Sequence, residues 1–121
     1  MKKWMLGLVG VLALSVASAA TKNYVEYTQK AFDDAASIKR VLFFAASWCP
    51  TCRAADKDFN ANLDKIPSDV IIFKTDYDTQ TTLKTKYGIT RQHTFVYVNA
   101  KGEALKKWSG GATTEIIENT K

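Results

Sequence analysis

Three short apolar runs restrict this chain more than any other feature. Val41-Leu42-Phe43-Phe44-Ala45-Ala46, Val70-Ile71-Ile72-Phe73 and Thr94-Phe95-Val96-Tyr97-Val98 are each bounded by turn or helix signals. Runs of this length without alternation read as strands buried on both faces. The segments between them carry helical patterns. Thr28 is placed as a cap for a short helix with Ala31, Phe32, Ala35 and Ala36 on its apolar side. Pro50 to about Lys65 predicts a longer helix, with Cys52, Ala55, Phe59, Leu63 and Ile66 on one face. Thr79 to Tyr87 predicts a third, ended by Gly88 in a left-handed conformation.

Tyr24 to Tyr27 reads as a short first strand. Asn99-Ala100-Lys101-Gly102 reads as a turn, Glu103 to Trp108 as a returning antiparallel strand, and Thr113 to Asn119 as a closing helix. The order is strand, helix, strand, helix, strand, helix, hairpin, helix. It implies an α/β domain with a central mixed sheet covered by helices on both faces.

The N-terminal segment has a different character. Lys2 and Lys3 precede an almost wholly apolar stretch from Met5 to Ala17, followed by Ala17-Ser18-Ala19-Ala20. This is the layout of a cleaved secretory signal, with cleavage after Ala19 or Ala20. The apolar run is short for a membrane span, which needs about 20 residues, so an uncleaved anchor is the secondary reading. The division expected is a signal peptide over 1–20 and one domain over 21–121. An exported, extracytoplasmic location follows, the periplasm or cell envelope, with no stable membrane insertion after cleavage. Disulfides persist there.

Without Lys2 and Lys3, fifteen basic residues face twelve acidic ones, and the two signs are interspersed. No basic stripe with interleaved aromatics is present, so nucleic acid is not an expected partner. With two Cys the chain is not a disulfide-framework miniprotein.

The chemistry concentrates in Trp48-Cys49-Pro50-Thr51-Cys52, which follows the first buried run and opens the long helix. Cys at i and i+3 come close enough to bridge. Pro50 suits the first helical position, where an N–H is not needed. Cys49 then sits at a helix N-terminus, where free N–H groups and the dipole favour a thiolate. A thiolate is the attacking species in thiol–disulfide exchange. Cys52, one turn in and less exposed, would resolve the mixed disulfide formed at Cys49. A purely structural disulfide is the competing reading, but closing so short a loop stabilises by only about 2 kcal/mol. Metal binding is another.

Phe43-Phe44-Ala45-Ala46-Ser47-Trp48-Cys49-Pro50-Thr51-Cys52 resembles the active-site strand and helix of the thioredoxin family. Lys86-Tyr87-Gly88-Ile89, Thr94-Phe95-Val96 and Gly110 resemble further family segments in the expected order. The resemblance covers nearly all of the mature chain. It implies a thioredoxin-like fold and an enzyme exchanging the Cys49–Cys52 dithiol or disulfide with protein substrates. It also implies a separate redox donor or acceptor, no organic cofactor and a monomer. Trp48, Pro50, Thr51, Gln92, His93 and Thr94 would border the two Cys, with Arg91 nearby.

Three features depart from the family pattern. His93 stands where members carry a cis-proline before the position of Thr94. A non-proline cis bond costs about 3–4 kcal/mol, so the expectation is a strained or a trans backbone. Phe43 stands where members carry a buried acid that assists proton transfer, which leaves Cys52 to water or another group. Pro50-Thr51 separates the Cys where thioredoxins have Gly-Pro. His93 has three readings: a packed residue, a group that tunes the thiols, or a metal ligand beside Cys49 and Cys52. The last would make the chain a non-enzymatic metal-binding or metal-delivery protein.

Overall fold

The computed structural model describes residues 23–121. The expected signal peptide over 1–20 lies outside the described residues.

Five strands form one sheet in the order β1-β3-β2-β4-β5. They are β1 (Tyr24–Glu26), β2 (Lys39–Ala45), β3 (Val70–Asp76), β4 (Thr94–Val98) and β5 (Ala104–Ser109). β1 and β2 both run parallel to β3, whereas β4 runs antiparallel to β2 and to β5. The four helices are α1 (Gln29–Asp34), α2 (Pro50–Ala61), α3 (Thr81–Tyr87) and α4 (Thr113–Asn119). The mixed sheet with helices on both faces is as the sequence implies.

β2 shows why continuous apolar runs were required. Its side chains alternate across the sheet, and both sides are covered. Val41, Phe43 and Ala45 join Cys52, Ala55 and Phe59 of α2 and Ile116 of α4 in one core cluster. Leu42 and Phe44 join Phe32 of α1 and Tyr87 of α3 in the other. At the first cluster's centre Phe95 stacks between Phe43 and Trp108, with ring centroids 4.7 and 5.2 Å apart.

Local signals set most boundaries. The Thr28 hydroxyl accepts from the Ala31 N–H at 3.0 Å and caps α1. Gly88, at φ +64°, ends α3 in the left-handed region. The long helix is shorter than its periodicity suggests. α2 stops at Ala61, and a 3₁₀ turn over Leu63–Lys65 follows. Asn62 takes φ −131°, and its side-chain amide donates to the Asp58 carbonyl, so the local bond competes with another helical turn. Leu63 is therefore exposed, while Ile66 is buried as expected. Tyr97, expected in the core, is only half-buried.

Replacing Phe95 by Ala removes the middle ring of this stack. Chemical denaturation of Phe95→Ala should show a loss of about 3–5 kcal/mol in unfolding free energy, with the native fold retained.

Candidate active site

β2 ends at Ala45, and the chain crosses in a few residues to the N-terminus of α2. Cys49 is the N-cap, in extended conformation at φ −94° and ψ 111°. Its Sγ accepts from the Cys52 N–H at 3.1 Å, the bond that a Ser or Asp oxygen makes at other helix starts. Pro50 occupies the first turn without an unused donor. Thr51 Oγ1 lies 3.4 Å from Cys49 Sγ. Both Cys are free thiols.

The two thiols differ in environment. Burial pushes the Cys49 thiol up, but hydrogen bonds from the Cys52 thiol, the Thr51 hydroxyl, the Cys52 N–H and the Gln92 side chain outweigh it. The net direction is down. Cys52 is pushed up to about 11, first by burial and then by its hydrogen bond to Cys49. One expectation needs correcting. Cys49 is not the more exposed of the pair: the two are 1% and 2% exposed. The α2 start and the core packed around it enclose both.

His93 borders the pair. Its backbone takes φ +58°, the left-handed region that costs an L-residue with a Cβ about 1–2 kcal/mol. The strain expected at this position is thus in φ. Two backbone bonds hold it there. The His93 N–H donates to the Phe44 carbonyl at 2.7 Å, and its carbonyl accepts from the Gly110 N–H at 2.8 Å. The imidazole reaches Thr51 Oγ1 through Nδ1 at 2.9 Å and the Gly111 carbonyl through Nε2 at 2.8 Å. A carbonyl only accepts, so Nε2 carries a proton, and Nδ1 and Cys49 Sγ share the single proton of the Thr51 hydroxyl. Gly111 suits this carbonyl presentation, because a Cβ there would stand 2.5 Å from Glu115. The ring packs edge-on to Phe43 and Phe95 at 5.8 and 5.7 Å.

Of the remaining expected residues, Gln92 bonds to Cys49. Thr94 is buried behind His93, its hydroxyl donating to the Arg91 carbonyl at 2.9 Å. Arg91 itself lines a separate groove with Lys107 and Ser109. Trp48 is 54% exposed beside Cys49, and its indole N–H donates to Asp78 at 2.9 Å. Among the described residues no three Cys, His, Asp or Glu side chains are gathered to hold a metal ion. Both ring nitrogens of His93 already have protein partners.

The sequence reading missed Tyr24, Asp56 and Lys74. The Tyr24 hydroxyl donates to Asp56 at 2.5 Å, and Lys74 pairs with the same carboxylate at 3.1 Å. Asp56 was recoverable, because it lies four residues after Cys52 and so on the same side of α2.

Comparison with known proteins agrees with this architecture. The family model described as Thioredoxin matches residues 16–121. Thioredoxin H4 of Arabidopsis thaliana is 39% identical over 76 residues, 63% of this chain and 63% of the relative. Thioredoxin H3 of the same plant is 37% identical over 79 residues, 65% of each chain. The alignments thus span just under two thirds of these relatives. Among solved structures, Fasciola hepatica thioredoxin is 28% identical with a TM-score of 0.63, covering 75% of this chain and 86% of that one. The reduced Schistosoma mansoni thioredoxin pre-protein is 22% identical with a TM-score of 0.67, covering 80% and 94%, and speaks to the fold alone.

The geometry at His93 excludes proline in this backbone. Proline holds φ near −65° and has no N–H for the Phe44 carbonyl. His93→Pro should therefore lose about 3 kcal/mol or more in urea denaturation, or rebuild the loop, whereas His93→Asn, tolerant of a positive φ, should lose under about 1 kcal/mol.

Proposed function

The chain belongs to the thioredoxin family, and on that footing we propose that it is a thiol–disulfide oxidoreductase acting in the cell envelope after export. The carrying observation is the asymmetry of its thiols: Cys49 is lowered at a helix N-terminus and Cys52, one turn further in, is raised. Cys49 as thiolate attacks a disulfide of a protein substrate. One Cys49–substrate S–S bond forms, and the other substrate sulfur leaves as a thiolate. Cys52 then attacks Cys49 Sγ, the Cys49–Cys52 bond forms, and the second substrate thiol departs. Two electrons pass to the substrate, and a separate redox donor restores the dithiol. In reverse, the same steps oxidise a substrate dithiol.

His93 and Thr51 tune this pair. The Thr51 hydroxyl has one proton and faces both Cys49 Sγ and His93 Nδ1. It serves one of them at a time. A proton turned to Cys49 stabilises the thiolate, and one turned to Nδ1 orients the ring. Trp48, Pro50, Gln92 and Thr94 shape the surroundings, with Trp48 as the exposed apolar contact for a docking chain. The protein works as a monomer on protein thiols and disulfides, with no organic cofactor.

Reduction of a protein disulfide, with dithiothreitol as the electron source, tests the reading. The wild type should accelerate it, Cys49→Ser should lose at least about a hundredfold, and Cys52→Ser should accumulate the mixed disulfide. Full activity in Cys49→Ser overturns it. In glutathione buffers, a midpoint near about −120 mV assigns an oxidant and one near about −270 mV a reductant.

Export is supported by the basic start, apolar run and Ala17–Ala20. Expression of the full chain in a bacterium with two membranes should yield periplasmic protein whose intact mass begins at Ala20 or Thr21. A cytoplasmic protein retaining Met1 to Ala19 refutes this part.

A further inference from the structure

Cys52 has to lose a proton before it can resolve the mixed disulfide, and burial holds that proton tightly. At neutral pH only a minute fraction of so weak an acid is ionised, so a proton acceptor within reach decides the rate. Phe43 supplies none. It is fully buried in the aromatic stack between Phe59 and Phe95.

The acceptor lies elsewhere. A cleft of about 270 Å³ opens beside α2, and both Cys52 and Asp56 line it. A water takes up roughly 30 Å³, so the cleft has room to bridge the two. The residues stand four apart on one helix, which places their side chains one above the other. We propose that Asp56 is the proton acceptor for Cys52, working across this shared cleft. The inference rests on the thiol–disulfide exchange proposed above and names a group for its resolving step.

The charged surroundings favour Asp56 over its neighbours. Glu26 of β1, Asp76 of β3 and Asp78 of the following loop also line the cleft, but all three are exposed. Asp56 is half-buried, and its Oδ1 is fixed by Tyr24 of β1 and Lys74 of β3. Those two donors hold the carboxylate in place through one oxygen and leave the second for the cleft. Arg53, on α2, is turned to the Ser47 carbonyl at 3.0 Å. Tyr24 packs against Phe59 at 5.1 Å and belongs to the cluster that contains Cys52, which brings the pair to the buried thiol rather than to the rim.

The step balances simply. The Cys52 proton passes through cleft water to the Asp56 carboxylate. The thiolate attacks Cys49 Sγ, the Cys49–Cys52 bond forms, and the bond from Cys49 to the substrate sulfur breaks with its electron pair on that sulfur. The substrate thiolate takes a proton from solvent, and Asp56 returns its own to the cleft.

A chromogenic aromatic disulfide separates the two stages in stopped flow. The first burst of released thiolate reports attack by Cys49, and the second reports resolution by Cys52. In the wild type the second phase should depend only weakly on hydroxide concentration above neutral pH, since the Asp56 side chain takes the proton. In Asp56→Asn the second phase should fall at least tenfold at neutral pH and then climb tenfold per pH unit as hydroxide replaces the carboxylate. The first phase should stay within threefold, and Asp56→Glu should restore most of the second. Tyr24→Phe, a milder change, removes one of the two donors that fix the carboxylate and should slow the second phase at neutral pH while sparing the first. A second phase with the same rate and pH profile in folded Asp56→Asn, or one as fast as wild type in Tyr24→Phe, overturns the role of Asp56. Loss of the first phase in the wild type would instead overturn the exchange reading itself.

Discussion

Everything in this molecule hangs from β2. The strand is hydrogen-bonded along both edges, to β3 and to β4, and covered on both faces. A strand held from four sides cannot shift register without moving all its side chains to the wrong face. Its C-terminal end is therefore a fixed point, and Cys49 follows it by four residues. The Phe44 carbonyl on β2 also accepts the His93 N–H, so the same strand that delivers the thiols anchors the loop beside them. Rigid backbone beneath and helix start above give the thiol pair its geometry.

Within that frame, three interactions divide the labour. The N-cap bond to Cys49 Sγ gives a sulfur the electrostatic place of a capping oxygen. Burial under α2 does the opposite for Cys52. His93 borders the pair and combines a strained backbone with a satisfied side chain. The cost of φ +58° is offset by two backbone bonds and two ring contacts, all to segments already fixed. Asp56, with Tyr24 and Lys74, occupies the far side of Cys52.

The fold was legible because each strand and helix carries a local signal that agrees with its burial. Val41 to Ala46, the Thr28 cap and Gly88 all declare themselves in one dimension. The end of α2 did not, since Leu63 keeps the helical period while the side chain of Asn62 breaks the backbone pattern. At the site, Cys49 and Cys52 were legible from spacing and the place of His93 from resemblance. Its left-handed backbone was not, because nothing near His93 in sequence announces that Phe44 and Gly110 will bond it. Equal burial of the two thiols escaped because the packing around the α2 start comes from segments distant in the chain. Asp56 shares a side of α2 with Cys52 in the sequence, but its partners Tyr24 and Lys74 arrive from two strands that no local signal connects to it.

The two indoles among the described residues occupy opposite settings. Trp108 lies against Phe95 inside the stack, and Trp48 stands in solvent next to Cys49 with its N–H on Asp78. Sulfur chemistry at Cys49 acts on the fluorescence of the exposed ring and leaves the stacked one to report on packing. The molecule thus carries its own optical probes, one for the state of the thiol and one for the integrity of the core, without an added label.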